Sequence, residues 1–234
     1  MRHRDRRPGL PAEVAAAGLI DEYRVRVHPV LAGGGEIRSR NRWPVCLASC
    51  HGIVRLGGER VRLRGREPED WEAFHAFDED SEAVRNGWRL EPPRSVARAK
   101  KETTEDAEKE WDLDEFSLVI VTKQDDAPVG SINTHTVDRL HGTFSYGIAV
   151  GTPHHRKGYA SEAIVLVLRY MFYERRFQKA EAWVYSSNEA SLALHRRLGF
   201  VEEGRRRRSR YANGRYDDEV LFGMTVEEYT ERYA

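Results

Sequence analysis

The chain of 234 residues has only two cysteines, Cys46 and Cys50, and no histidine or second cysteine pair at zinc-site spacing accompanies them. A disulfide-stapled scaffold is therefore excluded, and a reducing compartment is expected. Net charge is missing as well: 38 Lys plus Arg balance 38 Asp plus Glu. That balance argues against a nucleic-acid partner held by bulk charge. No apolar run approaches the roughly 20 residues of a membrane span. The basic opening through Pro8 leads to no signal-type stretch, because Glu13, Asp21 and Glu22 interrupt it. A cytoplasmic protein without a membrane partner is the expectation. Lysine is scarce, 6 against 32 arginines, a skew that most simply reflects high-GC codon usage.

What is present is enough for a packed core: 40% of residues are hydrophobic and 32% charged. The zero net charge hides segments of opposite sign. Residues 1–66 carry 14 basic and 6 acidic groups, and residues 67–126 carry 8 and 19. The balance is 9 to 5 over residues 127–200 and 7 to 8 beyond. Composition thus changes near position 50 and again near 127, and two segments are expected: an extension over 1–53 and a domain over 54–234.

Within the extension, residues 11–17 are Ala-rich and helix-prone, Gly18 suits a helix end, and Tyr23, Val25, Val27, Val30 and Leu31 read as a strand before Gly33, Gly34 and Gly35. Residues 10–35, LPAEVAAAGLIDEYRVRVHPVLAGGG, resemble the C-terminal part of the dihydrofolate-reductase-like, riboflavin-biosynthesis reductase family. They lack that family's nucleotide-binding core, so a remnant is expected there, followed by a linker over 36–53.

From Glu59 onward the pattern is continuous. Residues 61–64 alternate as a short strand. Residues 68–77 form a helix with Glu67, Glu69 and Asp70 near its start and Trp71, Phe74 and Phe77 as a core-facing stripe. A second, acidic helix spans 95–111; its Glu102, Glu105, Asp106, Glu108 and Glu110 read as a solvated face, with attraction of a cationic substrate as the rival. Strands at 116–122, 129–136 and 143–150, joined by turn-rich links, predict an antiparallel meander. Ala160, Ile164, Val165, Leu168, Met171 and Phe172 then share one helical face. A strand at 180–185, a helix at 189–198 and strand-rich sequence from Phe200 complete an α+β order with a helix crossing between two strands. Trp88 and Trp183 read as core or pocket wall.

Chemistry concentrates in residues 147–163, GIAVGTPHHRKGYASEA. A strand ends, a basic glycine-containing loop follows, and an amphipathic helix begins. Amides left unpaired in the helix's first turn converge where its dipole is positive, an arrangement that holds a pyrophosphate. Gly158 and Ala160 leave room for close approach, and Arg156 and Lys157 add charge. The spacing is neither a P-loop nor a dinucleotide fingerprint. His154 and His155 lack a third ligand, so no metal is expected.

This loop, with Asn188 to Ser191 (NEAS) and the LHRRLGF run from Leu194 to Phe200 after the next strand, resembles the GNAT acetyltransferase superfamily over residues 57–230. Of the loop pattern Gln or Arg, two residues, Gly, one residue, Gly or Ala, this chain keeps Gly158 and Ala160 and has His155 first, with Arg156 beside it. The tail, FVEEG with the run Arg205 to Arg208, YANGRYDD and VLFGMTVEEY, is similar to the ribosomal-protein N-terminal acetyltransferase branch. The resemblance implies a mixed, mostly antiparallel sheet with a splayed strand pair flanked by helices. It implies acetyl-CoA as cosubstrate, its pantetheine arm on Ile148, Ala149 and Val150, its pyrophosphate on His155, Arg156, Lys157, Gly158, Tyr159, Ala160 and Ser161, and Asn188 against the arm. The implied reaction is direct attack of a primary amine, on a small molecule or a protein N-terminus, upon the thioester. A homodimer is compatible with this reading.

Acid and base are open at this level. His195 occupies the position where many family members carry the tyrosine that protonates the thiolate, and it reads equally as a helix residue. Ser145, Tyr146, His135 or an ordered water can take the amine proton. Two rivals are a non-catalytic acyl-CoA-binding module and, from residues 10–35, a reductase fragment. The Arg205 to Arg208 run reads first as a solvated rim.

Overall fold

The computed structural model of the protein describes residues 56–81, 84–85 and 91–234. The helix and strand expected within 10–35, both cysteines and Trp88 lie outside the described residues. The first two strands, β1 (Leu56–Gly57) and β2 (Val61–Arg64), form a short hairpin. A 3-10 turn at Pro68–Asp70 leads into α1 (Trp71–Asp78), and α2 is Val96–Glu108. Pro68 at the first turn and Ser95, whose hydroxyl accepts from the Arg98 amide at 3.2 Å, account for where these helical segments start.

Next come β3 (Ser117–Thr122), β4 (Pro128–Asp138) and β5 (Thr143–Val150), paired as the expected antiparallel meander. Helix α3 (Tyr159–Arg169) runs on into a π-helical turn at Tyr170–Glu174 and returns the chain to β6 (Lys179–Tyr185). A parallel neighbour needs such a crossover, and β5 and β6 are the parallel pair of the sheet. Helix α4 (Glu189–Leu198), strands β7 (Val201–Ala212) and β8 (Arg215–Thr225), and helix α5 (Val226–Tyr233) follow. The eight strands lie in the order β1-β2-β3-β4-β5-β6-β8-β7. The expected class, mixed and mostly antiparallel with flanking helices, is what the chain adopts.

Ala163, Ile164, Val167 and Leu168 of α3, then Met171 and Phe172, are buried in one cluster with Phe144, Phe222, Met224 and Tyr229. Two expectations change. Trp71 and Phe74 are half-buried, because α1 faces α2 and the open cleft; Lys100 lies 4.3 Å over the Trp71 ring and Arg66 4.1 Å over Phe74. The strand-rich tail ends in a helix, started by a capping box in which the Thr225 hydroxyl accepts from the Glu228 amide and the Glu228 carboxylate accepts from the Thr225 amide. Among the described residues no helix is long and apolar enough to cross a membrane.

One irregularity of pairing creates the site. Strands β5 and β6 pair at only three positions, Thr143 with Lys179, Phe144 with Ala180, and Ser145 with Glu181. Beyond them β5 remains bonded to β4 through Val150, while β6 remains bonded to β8 through Tyr185. A wedge opens between the strands, and the β5 edge facing it has no strand partner.

Candidate active site

The wedge widens into a cleft of about 3030 Å³, lined by Tyr146 to Val150 of β5, the loop from Gly151 and first turn of α3, Trp183 and Tyr185 of β6, and part of α4. Pockets for one small ligand are typically roughly 300–1,000 Å³. This cleft has room for two molecules side by side.

At one end the chain leaves β5 and makes a 3-10 turn at Thr152–His154. The His155 ring turns back, and its Nε2–H donates to the Val150 carbonyl at 2.8 Å. His155 thus ties the loop to the end of β5 while bordering the cleft. Arg156 and Gly158 both have positive φ, 61° and 84°, and Gly158 is the N-cap of α3. The left-handed backbone at Gly158 favours glycine, and the end of the Arg60 guanidinium lies where a Cβ would stand. The amides of Tyr159, Ala160 and Ser161 start the helix and have no intrahelical acceptor by position. With Arg156 and Lys157 beside them, they make a cradle that fits a phosphate group.

Two side chains that contact this loop were not legible in the sequence. Arg60, in the turn between β1 and β2, donates from Nη1 to the Lys157 carbonyl at 3.4 Å. Arg197 of α4 donates from Nη2 to the Ser161 hydroxyl at 3.2 Å. They are 97 and 36 positions from their partners, and no local pattern links them.

The four proton-transfer candidates separate by sheet face. On the face that carries α3 and α4, Tyr146 is 6% exposed and borders the cleft; its hydroxyl has no hydrogen-bond partner among the described residues. Burial holds its phenol well above the usual tyrosine range, so it stays protonated. His195 lies deeper on the same face, 3% exposed, stacked on Phe222 with centroids 5.5 Å apart and on Tyr146 at 6.0 Å, with Phe200 edge-on at 5.2 Å. Its Nδ1 donates to the Ser191 carbonyl at 2.8 Å, which leaves Nε2 as a bare, buried acceptor. Burial lowers its pKa, outweighing the pull of the Ser191 carbonyl. His195, the residue expected as acid or as an ordinary helix residue, is thus buried apart from the residues that line the cleft, with Nδ1 engaged by the Ser191 carbonyl.

On the opposite face His135 and Ser145 are register partners across β4 and β5. The His135 ring is half-buried, borders the cleft, and meets the Trp183 ring at 6.0 Å. As β4 and β6 flank β5, these rings meet over β5 near Ser145. Ser145 is 1% exposed, its hydroxyl has no partner among the described residues, and it is not part of the cleft wall. Desolvation lowers the His135 pKa; the Glu115 carboxylate and the Tyr146 backbone carbonyl act in the opposite sense. Its Nδ1 lies 3.0 Å from the Thr136 hydroxyl.

Asn188 borders the cleft as the N-cap of α4, its Oδ1 accepting from the Ser191 amide at 3.1 Å. Trp183 is pocket wall, 39% exposed, with Arg206 5.1 Å above its ring. The run Arg205 to Arg208 is exposed on β7, and Arg206 bonds to Glu219 at 2.9 Å. On α2, Glu102 is held by Arg94 and Arg98 at 2.9 and 2.6 Å, so that carboxylate faces partners within the protein.

A sheet opened between two parallel strands, with a basic helix N-terminus at the mouth, defines an acyltransferase of the GNAT fold. Residues 60–201 match the family model described as an acetyltransferase (GNAT) domain, and the chain belongs to that family. It is 41% identical over 172 residues to the SPbeta prophage-derived uncharacterized N-acetyltransferase YokL of Bacillus subtilis, covering 74% of this chain and 93% of that protein. It is 24% identical to the spermidine N(1)-acetyltransferase of Escherichia coli K12, over 72% of this chain and 88% of that one. Among solved structures, the spermidine N-acetyltransferase of Vibrio cholerae in complex with CoA and spermine superimposes with a TM-score of 0.62 at 24% identity, covering 73% of this chain and 98% of that chain.

Proposed function

We propose that residues 54–234 form an acetyl-CoA-dependent N-acetyltransferase domain acting on a primary amine, carried by a small molecule or a protein N-terminus. The observation that carries this reading is the unpaired β5 edge running into the Gly158 turn: a strand edge for an extended amide-bearing arm, ending at amides and cations for phosphates. Ile148, Ala149 and Val150 would hold the pantetheine amides, and Arg156, Lys157 and the amides of Gly158 to Ser161 the pyrophosphate. Asn188 stands beside the arm. When bound, the thioester supplies the electrophilic acetyl carbonyl.

His135 takes a proton from the incoming ammonium, because it is the neutral, half-buried base on the cleft wall. The backbone amide of Ile148 polarises the carbonyl oxygen. Tyr146, protonated and without a hydrogen-bond partner among the described residues, donates a hydrogen bond where the sulfur leaves. Relatives named for spermidine or for ribosomal targets place both small amines and protein N-termini in the panel of acceptors to try.

Thiol release from acetyl-CoA, measured against amines that include spermidine and peptides with free N-termini, tests the reading. Turnover with at least one amine is expected, and Gly158→Trp abolishes acetyl-CoA binding by filling the cradle. Tight binding with no turnover on any amine identifies an acyl-CoA-binding module instead, and unchanged affinity in Gly158→Trp removes the cradle.

A further inference from the structure

The turn between β1 and β2 touches the phosphate loop although it is about a hundred residues away in sequence. Its backbone is held from α3: the Glu162 carboxylate accepts from the amides of Glu59, of Arg60 at 3.0 Å and of Val61 at 3.2 Å. Gly58 makes this approach feasible, since a Cβ there would run into the same carboxylate. Both Glu162 oxygens are thereby engaged by backbone donors, and the negative charge sits in the first turn of α3, where the helix dipole favours it. The result is that Arg60 is carried to the open side of Gly158. Its guanidinium borders the cleft, is exposed, and among the described residues makes one hydrogen bond, the long one to the Lys157 carbonyl. A planar cation with donors to spare, standing over the glycine of a phosphate cradle, matches a phosphate oxygen better than it matches the carbonyl it now touches.

We propose that Arg60 is a phosphate ligand for CoA and that Glu162 is its positioning residue, so that the β1–β2 turn forms the second wall of the cofactor site. This rests on the reading that the Gly158 loop holds CoA. Arg62, one strand position from β2's first residue, gives the internal control, because its guanidinium is already paired with Asp126 at 2.6 Å.

Calorimetric titration of the full chain with CoA and with dephospho-CoA tests the proposal without any turnover. Arg60→Ala is expected to weaken CoA binding roughly ten- to hundredfold, as for loss of one charge-assisted contact, with Arg60→Lys between and Arg62→Ala unchanged. Glu162→Ala weakens binding as well, and the Arg60→Ala, Glu162→Ala double variant is no weaker than Arg60→Ala alone, because both act through one side chain. A loss with both ligands assigns Arg60 to the pyrophosphate; a loss with CoA alone assigns it to the 3′-phosphate. Unchanged CoA affinity in Arg60→Ala, or additive effects in the double variant, overturns the proposal while leaving the acetyltransferase reading intact. Failure of the unaltered chain to bind CoA overturns both. Arg60 is exposed, so thermal melting of Arg60→Ala is expected to match the unaltered chain and to exclude misfolding as the cause.

Discussion

His135 and His195 sit on opposite faces of one sheet, and burial lowers the pKa of both. Their surroundings nevertheless give them different work. His195 is enclosed by Phe200, Phe222 and Tyr146 and gives its only proton to a helix carbonyl. His135 has one side against Trp183 and another open to the cleft. Depressed basicity alone therefore does not mark a catalytic group. What distinguishes the two is whether a reacting molecule can reach a lone pair.

The largest expected effect is on the open side. His135→Gln lowers kcat by roughly a hundred- to ten-thousandfold, the usual range for a lost general base, with CoA affinity unchanged. A neutral base is required, and the His135 pKa is pushed below its usual 6.5, so activity falls as pH drops through a value under 6.5. That acidic limb disappears in His135→Gln. Retained kcat, or an unchanged limb, would return His135 to the role of cleft wall.

On the enclosed side the effect is on stability. His195→Ala is expected to destabilise the fold by about 2–4 kcal/mol, as for truncation of a buried ring, measured by denaturant unfolding. His195→Phe keeps the ring stack and leaves turnover within about twofold. It also removes a pH effect. With the folded pKa below 6.5, the unfolded chain binds the proton first as pH falls, so stability declines below about pH 6.5 in the unaltered chain and declines less in His195→Phe. A large loss of turnover in His195→Phe, with cofactor affinity kept, would restore the acid role.

The smallest effect is expected from removing the N-terminal extension. Deleting residues 1–53 should leave melting temperature and turnover close to those of the full chain, because the family match begins at residue 60 and β1 at Leu56. Collapse of the shortened chain would show that the extension belongs to the fold.

Local sequence already specified much of this architecture. The period of α3, the turn-rich links of the meander and the boundaries of β5 and α4 follow from side-chain spacing and caps, which act over a few residues. The capping box at Thr225 is equally local, a T-x-x-E signal ahead of α5 embedded in strand-rich sequence. Gly158 is the glycine of the loop, and its left-handed φ gives the physical reason.

The difference in exposure between the histidines was not available at that level. His195 falls at a position where a family resemblance suggests an acid, yet which face of a strand meets a core or a cleft depends on how neighbouring strands and helices pack. The splay itself is a failure of pairing after Ser145 and Glu181, residues 36 apart, and no local preference encodes it. Arg60 stands over Gly158 only because Glu162 gathers three amides of a distant turn. The sequence by itself determined the elements, the basic loop and the class of chemistry, since short-range propensity and residue type carry those. Tertiary structure alone decided which histidine is open, which arginines reach the Gly158 loop and where the sheet parts, because each is set by contacts between segments that only folding brings together.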